Sequence, residues 1–399
     1  MPESQYLART PLLDPRQQVV GYRLAWQRDP AESLQTRDAD LLSLLECVAE
    51  RVKHTTSGLI FLNASPAMLS AGALQALSPS HTVLTLNRED FLAVANSSLV
   101  AYLRKQGFSL ALRDVNLEFL KTNQLLLRFI SYIELGVDQP ELEAIAVLAR
   151  NSLPDIALVV DQPAGWEAID RYAQMGIYGF FGQLCETPRK LEPRGAIGPQ
   201  AGLILKLMQM VQENADVRQL EAILKRDAAL SFKLFRYINS ASFGVRVEIQ
   251  SLRHAVTMMG YMPLFRWLSA LLATTSTTGY SPALLQAAMA RGRFAELLGQ
   301  GSLTKNEAEN LFFVGMFSLL DQLLGIPMRE VLGQISLPEP VAQALLNQEG
   351  VFAPFLALTR ACEQQNEGAS AIAEALFITP ARVNQAHMSA LAWAQNLQP

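Results

Sequence analysis

Six short apolar runs alternate with helix-like stretches across the first half of the chain, and this alternation constrains the fold more than any other feature. The runs are Leu59–Leu62, Thr82–Leu86, Phe108–Leu112, Tyr132–Leu135, Ile156–Val160 and Tyr178–Phe181. Helical patterns lie between them near Arg88–Gln106, Leu117–Arg128, Pro140–Asn151 and Trp166–Met175, and another, about Asp38–His54, comes before the first. Strands that are apolar on both faces and separated by helices belong to a parallel sheet covered by helices. Ahead of them, Tyr6–Leu13 and Val19–Trp26 read as two strands joined by a turn at Asp14-Pro15. Six runs after an opening hairpin suit a closed, compact barrel better than an open sheet.

The alternation stops at Glu186-Thr-Pro-Arg-Lys-Leu-Glu-Pro-Arg-Gly-Ala-Ile-Gly-Pro199, where prolines and glycines among charges rule out a helix or a central strand. Beyond this seam only the helical period remains. Helices are expected at about Leu203–Glu213, Val217–Arg226, Ala228–Ile238, Leu252–Met259, Pro263–Thr274, Pro282–Gly299, Lys305–Leu324, Met328–Gln334, Pro340–Leu346 and Ala381–Asn396. Thr304-Lys-Asn-Glu307 is a capping box at the start of the longest, and Thr379-Pro380 opens the last in the same manner. The stretch Arg226–Gly260 identifies this half best. Leu230, Leu234 and Ile238 repeat every fourth residue, Asn239-Ser-Ala-Ser-Phe-Gly244 breaks the period, and Ser251 caps the next helix.

Composition excludes several functions. A formal net charge of −4 gives no footprint for general nucleic-acid or anionic-membrane binding. No apolar run reaches the ~18 residues of a spanning helix, because Arg128 and Glu134 interrupt the longest candidate, and the first residues lack the features of a signal peptide. Cys47, Cys185 and Cys362 are odd in number and far apart, which fits a reducing cytoplasm and no disulfide framework. No spacing of His54, His81, His254 and His387 resembles a zinc site.

In a barrel, chemistry belongs at the C-terminal ends of the strands. Those ends carry Asn63, Thr85, Arg113 with Asp114, Gly136 with Asp138, Asp161 and Gly182. Metal-dependent phosphodiester hydrolysis needs several convergent carboxylates. Only Asp114, Asp138 and Asp161 are available, and Arg113 stands beside the first. Asn63, ahead of Ala64-Ser65-Pro66, reads first as a loop or helix-cap residue.

Val19-Val-Gly-Tyr-Arg-Leu-Ala-Trp26, Leu62-Asn-Ala-Ser-Pro66, Gly107-Phe-Ser-Leu-Ala-Leu-Arg-Asp-Val115 and Met175-Gly-Ile-Tyr-Gly-Phe-Phe-Gly182 together resemble a degenerate EAL domain over roughly residues 1–195. That family comprises barrel phosphodiesterases that open cyclic di-GMP with two metal ions. The resemblance implies that most of the machinery is lost. The signature glutamate is Arg23 and the signature arginine is Gln27. The ligand asparagine persists as Asn63, while the next metal glutamate aligns with Thr85. The paired aspartates are Arg113 and Asp114, and the following lysine and aspartate are Glu134 and Gly136. The late catalytic glutamate falls near Ala164, and the terminal Gln-Gly-Tyr is Phe181-Gly182-Gln183. With arginine at two acidic positions, a metal pair meets repulsion, and Arg23 and Arg113 are expected either to neutralise Asp114 or Glu134 in a filled cleft or to grip phosphate without metal.

The stretch 226–260 resembles an HDOD domain, through Asp-Ala-Ala-Leu, Asn-Ser-Ala-Ser-Phe-Gly and His-Ala-Val-Thr-Met-Met-Gly in order. That family descends from metal phosphohydrolases and has generally lost their ligands. Ser318 and Leu319 stand where active relatives carry His-Asp. The resulting expectation is a (β/α) TIM-barrel-like EAL domain over residues 1–195, compact and degenerate, followed by an all-α HDOD domain over 196–399. The expected role is a cytoplasmic, non-catalytic signalling protein that contacts other regulators, with no cofactor, metal, nucleic acid or membrane insertion; self-association is left open. The competing expectation is a cyclic di-GMP sensor or weak phosphodiesterase. Candidate ligand or partner residues are Arg23, Asn63, Arg113, Asp114, Asn239, Ser240 and His254.

Overall fold

The computed structural model describes residues 5–27, 38–51, 58–70, 72–136, 141–182, 199–238, 252–274, 282–324, 326–333, 337–364 and 368–395. The seam at 186–199 lies outside this description except for Pro199. The helical and strand elements group into two compact units. One comprises residues 1–189, 281–319 and 349–398, and the other 190–280 and 320–348.

The first unit is built on a closed barrel of eight strands in sequential order. Strands β1 (Leu7–Leu13) and β2 (Val19–Trp26) form an antiparallel hairpin. Its turn is fixed by Asp14, whose side chain accepts from the amides of Arg16 and Gln18, and by Gln17 at φ +64°. The chain then runs through α1 (Asp38–Arg51), β3 (Leu59–Asn63), α2 (Pro66–Leu69), β4 (Thr82–Asn87), α3 (Arg88–Val94) and α4 (Ser98–Gln106). After β5 (Ser109–Arg113) come α5 (Leu117–Thr122), α6 (Gln124–Leu127), β6 (Tyr132–Gly136), α7 (Leu142–Ser152), β7 (Ala157–Asp161), α8 (Trp166–Gln174) and β8 (Gly179–Phe181). Strands β2 to β8 pair in parallel, and β8 closes antiparallel onto β1.

All eight expected strands form. Two expected helices are each divided: Arg88–Gln106 breaks at Ala95–Ser97, and Leu117–Arg128 breaks at Asn123. In both, a polar residue ends one turn and leads the next, which the apolar period alone does not report. Alternate strand residues fill the barrel: Leu12, Phe61, Val83, Ala111, Val159 and Phe181 form one buried cluster. The opposite set packs outward beneath the helices in a larger one.

A hairpin at β1–β2 removes one crossover helix, so residues 1–182 leave the outer side of β1 without its own cover. Later helices supply it. They are α14 (Pro282–Gly299), α15 (Lys305–Phe317), α19 (Ala353–Gln364), α20 (Ala369–Ala375) and α21 (Pro380–Gln395). Ala290, Met388, Leu391 and Ala394 join the barrel's outer core. The Leu7 amide donates to Asn384 Oδ1 at 2.8 Å, Gln27 Nε2 donates to the Ala361 carbonyl at 3.0 Å, and the Ala283 amide donates to the Gln17 carbonyl at 3.0 Å. α14 and α15 cross at glycines: a Cβ on Gly315 would lie 2.6 Å from the Arg291 carbonyl oxygen, and one on Gly292 would lie 2.7 Å from that of Phe312. The expected single helix Lys305–Leu324 ends at Phe317, and its Thr304–Glu307 capping box is present. Two helices, α19 and α20, have no counterpart in the sequence-based reading.

The second unit is helical: α9 (Pro199–Gln212), α10 (Val217–Leu224), α11 (Ala228–Ile238), α12 (Leu252–Met259), α13 (Tyr261–Thr274), α16 (Leu320–Leu324), α17 (Met328–Leu332) and α18 (Glu339–Leu346). Leu220, Leu234, Ile238, Val256 and Leu268 are buried here. Asp227 caps α11 by accepting from the Leu230 amide at 2.9 Å, a structural role. No described helix in either unit is long and apolar enough to cross a membrane.

Candidate functional site

The upper interior of the barrel, at the C-terminal strand ends, is a polar layer above the apolar filling. Register aligns Arg23 of β2 with Phe61, Asn63 of β3 with Thr85 of β4, Asn87 with Arg113 of β5, and Asp161 of β7 with Phe181 of β8. The side chains of one parity therefore converge there. Arg23 crosses this layer. Its Nη2 donates to Glu134 Oε2 at 2.9 Å and its Nη1 to Asp161 Oδ2 at 2.9 Å. Thr85 Oγ1 donates to the other Glu134 oxygen at 2.9 Å. The guanidinium lies 3.9 Å from the centroid of the Phe181 ring, so its face is covered as well as its edge. Side-chain exposure is 16% for Arg23, 7% for Glu134 and 36% for Asp161, so the pair with Glu134 is the desolvated one.

A second, more open group adjoins it. Arg113 Nη1 donates to Asn63 Oδ1 at 3.2 Å, and Arg113 Nε is 3.7 Å from Asp114 Oδ2. Asp114 is 72% exposed and its backbone is left-handed at φ +59°, a conformation that suits the short acidic side chain. Asn63 is not a helix cap: the cap of α2 is Ser65, whose Oγ accepts from the Met68 amide. The expectation for Asn63 is corrected accordingly, because β3 extends one residue further and turns Asn63 into the barrel mouth.

Two metal ions do not fit this donor set. The guanidinium of Arg23 occupies the position between Glu134 and Asp161 where a cation would sit, and it uses one oxygen of each. Among the described residues no three His, Cys, Asp or Glu side chains converge in a manner that would hold a metal. Asp138 lies outside the described residues, as do Asn239 and Ser240. His254 is half-buried on α12 in the second unit, so the described candidates divide between the two units.

Sequence reasoning missed a buried ionic cluster elsewhere in the first unit. Glu363 on α19 accepts from Arg9 Nη2 at 2.7 Å through one oxygen and from Arg291 Nε at 2.7 Å through the other. Arg291 Nη1 also donates to Ser318 Oγ at 2.9 Å, and Ser318 Oγ donates to the Gly315 carbonyl at 2.7 Å. All four side chains are buried. Ser318 is thus a hydrogen-bond partner of an arginine. Glu363 lies in the last turn of α19 and Ser318 at the C-terminal cap of α15, so the ends of both helices reach this cluster. Burial pushes the neighbouring Cys362 thiol up to about 12, and proximity to Glu363 adds to this. Burial, with Arg9 nearby, holds His387 well below the ordinary imidazole range, so it is neutral; its ring stacks on Phe294 at 4.6 Å. The available signal was arginine inside two apolar runs: Arg9 in the first, and Arg291 with Arg293 in the second.

Residues 198–329 match the HDOD domain. The chain is 22% identical over 407 residues to the Bacillus subtilis (strain 168) protein YuxH, covering 98% of each. It is 24% identical over 407 residues to the cyclic di-GMP phosphodiesterase CdgJ of Vibrio cholerae serotype O1, covering 98% of this chain and 93% of the relative. Among solved structures it is similar to the PaMucR phosphodiesterase in its c-di-GMP complex, with a TM-score of 0.36, 17% identity, and coverage of 45% of this chain and 90% of the other. A similar match is the EAL domain of Mycobacterium smegmatis DcpA, with a TM-score of 0.36, 14% identity, and coverage of 45% and 90%. The HDOD match runs through both compact units, with α9–α13, α16 and the start of α17 in one and α14–α15 in the other. The chain therefore combines a closed eight-stranded β/α barrel with a helical region that matches the HDOD domain over residues 198–329.

Proposed function

We propose that this chain is a non-catalytic signalling protein, related to cyclic di-GMP signalling, that acts through contacts with other regulators. In this reading residues 1–195 are a degenerate EAL-like part and residues 196–399 an HDOD part. The observation that carries it is the double ion pair of Arg23 with Glu134 and Asp161. The two carboxylates face a fixed cation that is hydrogen-bonded and ring-stacked, and its charge opposes a metal ion between them. Full-length similarity to a cyclic di-GMP phosphodiesterase supports the signalling relation. The test is incubation of the full chain with cyclic di-GMP and magnesium or manganese. No linear dinucleotide is expected, and turnover abolished by Asp114→Ala would overturn the proposal.

A second reading has one observation behind it. Arg113 is 37% exposed at the mouth and, among the described residues, is held by the 3.2 Å bond to Asn63 and the 3.7 Å pair with Asp114. Such an arginine can accept a phosphate, which makes the chain a metal-free sensor of cyclic di-GMP. Calorimetry with the dinucleotide separates the two: heat lost in Arg113→Met favours the sensor, and its absence at high micromolar concentration leaves the partner-binding role.

A further inference from the structure

The two polar networks of the first unit lie on opposite faces of the β1–β2 hairpin and meet at its backbone. At one end, Ser318 caps α15 and holds Arg291 of α14. Arg291 binds Glu363, and Glu363 binds Arg9 of β1. In the β1–β2 hairpin, Arg9 pairs with Leu24 and Thr10 pairs with Arg23. Arg23 then reaches Glu134 on β6 and Asp161 on β7. The path runs from the helix hairpin α14–α15 to the barrel mouth, and each step is a hydrogen bond, an ion pair or a strand register.

We propose that this path is a coupling device, through which a displacement of the α14–α15 hairpin changes the hold of Arg23 on the barrel mouth. Three features suit it to that role. The two helices of the hairpin are closely packed, since Gly292 and Gly315 bring their backbones together. Glu363 is buried and uses one oxygen for each arginine, so withdrawing Arg291 leaves a buried carboxylate and Arg9 incompletely paired; such a site favours two discrete arrangements over gradual strain. Both ends of the hairpin continue in the sequence into the other compact unit, which ends at Tyr280 before it and resumes at Leu320 after it. The coupling goes beyond the proposed function and holds whether the mouth is closed or binds a nucleotide.

Hydrogen exchange of the full chain, read by mass spectrometry, tests it. Glu363→Gln keeps the size of the side chain and removes its charge; Ser318→Ala removes the hydroxyl that accepts from Arg291 and donates to the Gly315 carbonyl. Each is expected to raise exchange in β6 and β7, which touch neither residue, by roughly 5- to 30-fold while β4 and β5 keep their protection. Coupling is reciprocal, so Arg23→Met must raise exchange in α19. A response confined to β1 and α19, or spread evenly over every barrel strand, would overturn the proposal. If Glu363→Gln fails to fold, Ser318→Ala and Arg23→Met decide by the same criteria.

Discussion

Replacing Arg23 with methionine is the sharpest perturbation of the barrel mouth. Methionine keeps an apolar stem and a favourable sulfur contact with Phe181, so the change isolates the charge. The substitution removes the 2.9 Å bonds to Glu134 and Asp161. Asp161 is 36% exposed, and its share is on the order of 1 kcal/mol or less. Glu134 is 7% exposed and is left with Thr85 as its donor. Breaking one side of a buried pair costs about 3–5 kcal/mol, most of it from the stranded charge. At the size of this unit each kcal/mol moves the midpoint by about 2–4 °C, so the barrel transition should fall by roughly 10 °C in calorimetry. Adding Glu134→Gln to Arg23→Met removes the stranded charge and should recover more than about half of the loss. The difference should also persist at high salt, because the pair is shielded from counterions. A fall below about 2 °C, or a double variant less stable than the single, would refute the claim that Arg23 is held by a desolvated pair.

Two further predictions follow from the packing. Gly315→Ala places a methyl 2.6 Å from the Arg291 carbonyl and 2.8 Å from the Gly292 Cα, all backbone, so α14 and α15 must separate. A loss of at least about 1–3 kcal/mol is expected in denaturant unfolding, and a neutral result would contradict the close crossing. His387 is neutral in the fold because burial depresses its pKa, so the unfolded chain binds one proton more below its ordinary value of about 6.5. Stability from this residue is present above that pH and is lost as pH falls, by up to about 1.4 kcal/mol per pH unit. His387→Phe preserves stacking on Phe294 and should flatten the acid limb of the midpoint-against-pH curve, whereas an unchanged limb would show that other groups set it.

The sequence made most of the architecture legible. Strand positions came from apolar runs bounded by turn residues, and the register that closes the barrel follows from six parallel repeats after one hairpin. The capping box at Thr304 was visible because caps are local chemistry. Helices α19 and α20 escaped; α20 is short and alanine-rich, and α19 is buried by contact with β1, about 350 residues earlier in the chain.

At the mouth, the resemblance led to the expectation of arginine at two acidic positions, but it left open what each arginine does. Only the closed barrel selected Glu134 and Asp161 as the partners of Arg23, since they arrive on strands more than a hundred residues away. The same holds for Arg9, Arg291 and Glu363, whose meeting depends on a strand near the start and helices near the end. Local pattern determines which segments become strands and helices, because propensity, caps and alternation act over a few residues. Which buried charges find each other is decided by the folded chain, because an ion pair costs or stabilises according to the burial around it.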